Sequence, residues 1–205
     1  HHFYENQLII PPSPNFKKAI NHNFVEAEYK GKINNQEKDA LILQLMDFMK
    51  KNIRKSDHDK KSKSCLVVTM NIFQQELIEE ELRLRETSED FISDYIKSWD
   101  NTLERFEVKN LESVQGDERD VIFISTVFGP PEKGKTVSQK FGPINLETGH
   151  RRLNVLFTRA KKEIHLYTSM HPNDVQIKEG TARGRMILKN YIEYAKTGKL
   201  EIGDT

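Results

Sequence analysis

Three stretches of this sequence hold residue types whose spacing suits phosphate chemistry. The first, Gly129-Pro-Pro-Glu-Lys-Gly-Lys-Thr136, fits G-x-x-x-x-G-K-[ST] letter for letter and follows a strand-like run. Backbone amides and a lysine can cradle phosphates in such a loop. That mechanism needs the Gly-Lys-Thr to open a helix whose N-terminal dipole faces the anion. After Thr136 the chain reads Val-Ser-Gln-Lys-Phe-Gly-Pro143, with no apolar stripe and a Gly-Pro stop. A later strand ending in an acid that could hold magnesium is also wanting, since Ile164-His-Leu-Tyr-Thr168 has none. Two readings stay open: a nucleotide-phosphate loop, or a Gly/Lys surface loop that matches by chance.

The second stretch is Val114-Gln-Gly-Asp-Glu-Arg-Asp-Val-Ile-Phe-Ile-Ser125, a polar turn feeding an apolar strand. Gly116 permits close backbone approach to a ligand. Glu118 can accept hydrogen bonds from a sugar hydroxyl, or be an ordinary solvated acid. The third is Arg151-Arg-Leu-Asn-Val-Leu-Phe-Thr-Arg-Ala-Lys-Lys162. Read as a helix, it puts Leu153, Leu156, Phe157 and Ala160 on one face. Arg152 and Arg159 then align two turns apart on the neighbouring stripe. A guanidinium held at the edge of a core suits a transferring phosphoryl group, being planar, bidentate and always charged. The plainer alternative is an arginine paired with Glu118 or Asp120.

These residues need a frame. A helix is expected from Gln36, with Leu41, Leu45, Phe48 and Met49 on one face. Cys65–Met70 and Val121–Val127 read as strands apolar on both faces, and weaker strands are expected at Leu8–Ile10, Phe106–Val108 and Glu163–Thr168. Asn71 is placed to cap a helix that turns Phe73, Leu77 and Leu82 inward. Another helix starts at Thr87–Asp90 and carries Ile92, Tyr95, Ile96, Trp99 and Leu103. The last runs near Ala182–Lys196, with Met186, Ile187, Tyr191 and Ile192 inward. Alternating strands and helices predict an α/β fold, a mainly parallel sheet with helices on both faces. Such sheets bind ligands beyond the carboxyl ends of their strands. The loops after Met70, Val127 and Thr168, with the turn at Val114–Asp120, are the expected sites. Residues 1–35 read as an extended leading segment and residues 36–205 as the domain.

Composition narrows the classes. The chain has 205 residues, with 32 Lys and Arg against 31 Asp and Glu, so no whole-molecule field selects a partner. Charge is blocked instead: Lys50–Lys63 holds seven basic and two acidic residues, and Glu76–Asp90 seven acidic and two basic. Each block reads as a solvated face. No apolar run exceeds four residues, so neither a membrane span nor a signal peptide is expected. The single cysteine, Cys65, excludes an internal disulfide framework and a Cys-based zinc site, and points to a reducing, cytoplasmic setting.

The second and third stretches together resemble motifs V and VI of superfamily 1 helicases. The branch is that of the RNA helicases of nonsense-mediated decay. The matches are Gln115-Gly-x-Glu-x-Asp-x-Ile122 and Arg151-Arg-Leu-Asn-Val-x-x-Thr-Arg-Ala-Lys161. Val67-Val-Thr-Met-Asn-Ile-Phe-Gln74 is similar to the motif IV region, with Met70-Asn71 where Pro-Tyr is usual. The succession of landmarks, including Phe141-Gly-Pro-x-Asn145, is similar to that of a bacterial group of large multidomain helicase-like proteins. The resemblance covers most of residues 1–197.

It implies the second, C-terminal RecA-like domain of a two-domain motor, of P-loop-NTPase type, driven by ATP. The magnesium ion and the true phosphate loop would belong to an N-terminal RecA-like domain of the same protein. On this resemblance Arg159 is the catalytic arginine finger and Gly116, Glu118 and Arg152 are nucleotide-binding. Thr69, Asn71, Gln74 and Thr126 lie along single-stranded nucleic acid, DNA favoured over RNA. The family's counterparts carry a similar Gly-Pro-x-x-x-Gly-Lys stretch between motifs V and VI, away from the nucleotide, which favours the chance-match reading of Gly129–Thr136. The chain alone is expected to be inactive. The motor reading depends on Arg159 reaching the surface at the rim where the strands end; an arginine locked inside its own domain or turned away from that rim would count against it. The alternatives are a self-contained P-loop enzyme using Gly129–Thr136 and a non-catalytic nucleic-acid-binding module.

Overall fold

The computed structural model describes residues 20–56, 58–114, 116 and 118–199. The strand expected at Leu8–Ile10 and Gln115 of the turn lie outside them. Five strands are described: β1 (Ile20–Phe24), β2 (Cys65–Thr69), β3 (Glu107–Asn110), β4 (Arg119–Ser125) and β5 (Ala160–Thr168). They form one sheet in the order β1-β5-β4-β2-β3, and every pairing is parallel. Five α-helices connect them: α1 (Asn35–Lys51), α2 (Ile72–Glu86), α3 (Asp90–Trp99), α4 (Gly149–Phe157) and α5 (Arg183–Thr197). The expected α/β, RecA-like P-loop-type fold is what forms.

Parallel strands need crossovers, and the crossovers put helices on both faces. On one face α1, α2 and α3 cover Cys65, Val67, Val121, Phe123 and Tyr167, supplying Leu41, Leu45, Ile78, Tyr95 and Trp99. On the other, α4 and α5 cover Leu66, Val68, Ile122, Ile124 and Leu166, supplying Leu153, Leu156, Leu188 and Ile192. All seven residues of β4 are buried, which its central place requires. Burial inside the first layer pushes the Cys65 thiol up to about 12, so it stays protonated and inert.

Local signals start the helices. Asn71 Oδ1 accepts the Gln74 amide at 2.9 Å, the cap expected for α2. Asn34 does the same for α1, accepting the Glu37 amide at 2.9 Å. The buried side of α2 is Gln74, Ile78 and Leu82, while Phe73 is exposed and Leu77 half-buried. Leu103 lies beyond the end of α3 and is 99% exposed, because the helix stops at Trp99. In α5 the core side is Leu188, Tyr191, Ile192 and Ala195, and Met186 faces out. The boundary expected at residue 35 is not a boundary in the fold: β1 is an edge strand paired with β5 from Ile20–Ile164 to Phe24–Thr168.

The connection from β4 to α4 is long but half of it is core. Val137, Phe141 and Ile144 are buried, and a 3-10 turn at Gly142–Asn145 wedges between α4 and α5. Both helices approach the Ile144 carbonyl through glycine. A Cβ on Gly149 would sit 2.3 Å from that oxygen, and one on Gly184 2.2 Å. No side chain fits at either position.

Candidate functional site

The candidate residues divide between two opposite rims of the sheet. Glu118 and Arg159 meet at the rim where β4 and β5 begin, and Gly116 lies in the connection that leads into β4. Thr69, Asn71, Gln74 and Thr126 sit at the rim where β2 and β4 end. Parallel-sheet logic directs attention to the second rim only. It is overruled for the first group because the connection into β4 and the α4–β5 turn both arrive at strand amino ends.

At the amino rim, α4 ends at Phe157, two residues before Arg159. The Thr158 hydroxyl donates to the Asn154 and Val155 carbonyls at 3.0 Å each, closing the last turn. The Arg159 amide donates to Leu156 O, and the Arg159 carbonyl accepts the Arg119 amide, both at 3.2 Å. The backbone is thus fixed on both sides. Arg159 Nε donates to Val155 O at 3.1 Å, and Nη1 lies 3.8 Å from Glu118 Oε1. The Arg159 side chain is 24% exposed and that of Glu118 55%, so the pair opens to solvent. Arg159 therefore reaches the surface as expected, but the expected rim is corrected: it stands where β4 and β5 start, because the α4–β5 turn arrives at strand amino ends, and the motor reading then needs its nucleotide at this rim. Its loose approach to Glu118 is the pairing the plainer alternative anticipated. Gly116, in the connection that leads into β4, is exposed with φ +75°.

A residue that sequence reading missed organises this rim. Arg119 is 1% exposed and donates to Arg105 O through Nε at 2.9 Å and Nη2 at 2.7 Å. Its Nη1 donates to Glu118 O at 3.0 Å, and Nη2 also reaches Glu107 Oε2 at 3.2 Å. A rigid planar fork thus holds the backbone that carries Glu118. The apolar run of β4 draws attention past it, and its own charge suggests a solvated position. Around it Lys162 pairs with Asp120 at 2.9 Å, and Lys161 pairs with Glu104.

Arg152 does not join this group. Since α4 stops at Phe157, the expected helical stripe from Arg152 to Arg159 is broken, and Ala160 opens β5 instead of completing a helix face. Arg152 Nη1 pairs with Glu112 Oε1 at 3.1 Å, along the connection that crosses from β3 to β4.

At the carboxyl rim three of the four expected nucleic-acid contacts turn inward, and the fourth, Asn71, is half-buried. Thr69, Gln74 and Thr126 are fully buried. Thr69 Oγ1 donates to Asn71 O at 2.7 Å, and Thr126 Oγ1 to Thr168 Oγ1 at 3.1 Å. Gln74 Nε2 donates to Asn34 O, and Gln74 Oε1 accepts the Asn34 amide, both at 2.9 Å. Asn71 caps α2 and donates to Lys32 O at 2.9 Å. These groups are engaged in framing the rim, because a buried polar atom without a partner is costly.

The centre of that frame is Glu37, which sequence reading also missed. It is fully buried at the start of α1. Oε1 accepts from the Ser125 hydroxyl at 2.7 Å and the Val127 amide at 2.8 Å. Oε2 accepts from the Ser169 hydroxyl at 3.0 Å and from Asn34 Nδ2 at 3.3 Å. Burial pushes the Glu37 carboxyl up to about 7, against the pull of the Val127 amide and the Ser125 and Ser169 hydroxyls. The signal that could have found it is Asn34-x-x-Glu37 at a helix start, a capping-box spacing.

The Gly129–Thr136 stretch does not open a helix. It forms exposed turns, with Lys135 N–H donating to Glu132 O at 3.0 Å, and leads to the short turn at Gly142. The helix N-terminus that a nucleotide-phosphate loop requires is not there. Among the described residues no three His, Cys, Asp or Glu gather to hold a metal ion. Nor is any described helix long and apolar enough to cross a membrane.

Comparison with known proteins fits this frame. The chain is 29% identical over 198 residues to the uncharacterized ATP-dependent helicase MG140 of Mycoplasma genitalium, across 94% of this chain and 16% of that protein. It is 37% identical over 89 residues to the Mycoplasma pneumoniae homolog of that protein, across 43% of this chain and 8% of the relative. The chain thus spans less than a fifth of the length of these curated relatives. A family model described as an AAA domain matches residues 4–171, which takes in all five strands and both rims. The chain belongs to this AAA domain family.

Proposed function

We propose that this chain is the C-terminal motor domain of an ATP-dependent superfamily 1 helicase or translocase. Its amino rim closes over a nucleotide held by a first RecA-like domain of the same protein, and its carboxyl rim faces single-stranded nucleic acid. The observation that carries this reading is the meeting of Glu118 and Arg159 at one rim. These residues, 41 positions apart in sequence, are brought together by the pairing of Arg119 with Ala160. Arg159 has one edge tied to the end of α4 and its outer edge at the surface, which suits contact with a phosphate brought from outside. The weak, exposed partner Glu118 is exchanged for a phosphate at little cost. Arg152, held by Glu112, is left out of the nucleotide contacts. Magnesium goes with the first domain.

In the full-length protein Arg159→Ala should cut ATP hydrolysis by about 10³–10⁵-fold, the usual worth of an arginine finger, and leave ATP affinity within a few-fold. Undiminished turnover would refute the assignment. The isolated chain should not hydrolyse ATP. Turnover by it, lost in Lys135→Ala, would revive the self-contained P-loop enzyme that the missing helix argues against. A full-length protein that binds single strands yet hydrolyses no ATP would be the non-catalytic module.

A further inference from the structure

The loop Gly129–Thr136 stands over the carboxyl rim and has no part in the nucleotide site at the opposite one. Its construction sets it apart from an ordinary surface loop. The chain leaves β4 through Thr126 and then turns sharply at Val127, whose φ is +70°. A β-branched residue in the left-handed region is strained and persists only where its surroundings hold it. Here both of its backbone groups are held from the start of α1: the amide donates to Glu37 Oε1 at 2.8 Å, and the carbonyl accepts Asn34 Nδ2 at 3.2 Å.

The following residues are fixed as well. Phe128 is buried edge-on to Phe141, with centroids 5.1 Å apart. Gly129 packs so closely on Ser169 that a Cβ would lie 3.0 Å from the Ser169 Cβ. Pro130 O accepts the Tyr29 amide at 2.8 Å. Beyond that point residues 131–136 are all exposed, until Val137 returns to the core. The result is a short exposed tip bearing Lys133 and Lys135 on a rigid root.

Beneath the tip lies a cavity of about 380 Å³ lined by Phe24, Glu26, Gln36, Lys133, Gly134 and Ser169. Phe24 is 42% exposed, and its ring stacks on His171 at 4.3 Å between centroids. Cations on a fixed support beside an exposed aromatic ring are what a sequence-independent grip on a single strand requires. Lysines serve there as point charges for phosphates. Lys133 is paired with Glu26 at 2.9 Å, both being largely exposed, so the pair is weak and a polyanion can displace it.

We propose that Gly129–Thr136 is a clamp for the phosphate backbone of single-stranded nucleic acid, with Lys133 and Lys135 as its contacts and Glu37 as the positioning residue that sets its root through Val127. This rests on the motor reading of the carboxyl rim. The lysines thus bind phosphates of the track, not of the nucleotide.

The test is the salt dependence of affinity for fluorescent single-stranded DNA and RNA oligomers, measured on the full-length protein. Each phosphate contact to a single strand contributes about 0.7 to the slope of log affinity against log salt. Replacing both contacts, Lys133→Ala with Lys135→Ala, should reduce that slope by roughly 1.4 on one or both polymers. Glu37→Ala removes the acceptor for the Val127 amide and should reproduce the loss. Glu37→Gln keeps an acceptor oxygen and should restore the slope. An unchanged slope in the lysine variant, while the wild type binds, overturns the clamp and leaves the motor reading standing. A wild type that binds neither polymer overturns both. A Glu37→Ala protein that is only less stable, with the wild-type slope, overturns the positioning role. If that variant does not fold, the lysine pair on the exposed tip decides the clamp, and Glu37→Asp, whose shorter reach should loosen the root and lower the slope, decides the root.

Discussion

Glu37 is buried with four hydrogen-bond donors around it and no cationic partner among the described residues, so pH should act on this fold through it. Its carboxyl stands at about 7 in the folded chain against an ordinary value of 4.5. A folded-state value raised above the unfolded one means that the native protein holds the proton more tightly. The associated stability is then complete below pH 4.5 and is lost as pH rises through 7. Between pH 5 and pH 8 that amounts to about 2–3 kcal/mol. For a chain of this size the melting temperature should fall by roughly 5–10 °C over the window. His165 acts with the opposite sign. Burial lowers it below 6.5, so it adds stability as pH rises towards and through 6.5, against the trend of Glu37. Carboxylates held low, such as Glu163 beside Lys63, act near and below their ordinary 4.5. A decline from pH 6.5 to pH 8 is therefore the signature of Glu37. Thermal unfolding of wild type and Glu37→Gln across pH 5–8 is the assay. A carboxamide at this position cannot ionise, so the variant should lose the decline above pH 6.5. A wild type whose melting temperature is flat from 6.5 to 8, or a variant that keeps the decline, would refute the reasoning.

Two further substitutions probe the frame around the rims. Gly184→Ala must drive a Cβ into the Ile144 carbonyl at 2.2 Å, so α5 or the wedge has to shift. Calorimetry should show a loss of about 3 kcal/mol, the upper range for overpacking a core. Arg119→Met keeps the side chain's bulk but leaves Arg105 O and Glu118 O without their donors. Denaturant titration should show a loss of roughly 2–4 kcal/mol, and ATP hydrolysis by the full-length protein should fall because Glu118 loses its support.

The regular part of the fold is legible where burial alone sets the pattern. β2 and β4 are apolar on both faces because each lies between two other strands, and that reads directly as a buried parallel sheet. Elements whose burial is shared with polar groups are not. β1, Ile20-Asn-His-Asn-Phe24, is an edge strand with mixed exposure and none of the apolar alternation of a strand. Periodicity sets the inward face of α2 on Phe73 and Leu77, one residue early, because Gln74 is buried there. Gln74 can be buried only because Asn34 satisfies both ends of its amide, a partner 40 residues away. Local periodicity contains no term for such a pairing.

The site shows the same division more sharply. Arg159, Gly116 and Glu118 are readable by type, yet their rim is not, since which strand end a turn occupies depends on the direction of a crossover rather than on the turn's own residues. On the way into β4, Leu111 and Val114 are buried in the layer formed with α4 and α5. That path delivers Glu118 to the amino end of β4, where the α4–β5 turn delivers Arg159. At the other rim Glu37 and Asn34, from the start of α1, bind together the ends of β4 and β5. One sheet therefore presents an arginine at one edge and a rooted lysine loop at the other, separated by the buried length of β4. A motor domain that must meet a nucleotide and a track without confusing their phosphates needs its two cationic groups held apart in this way. On the proposed reading the G-x-x-x-x-G-K-T letters point to the wrong one of those two anions, because they record the loop's glycines and lysine but not the rim on which it stands.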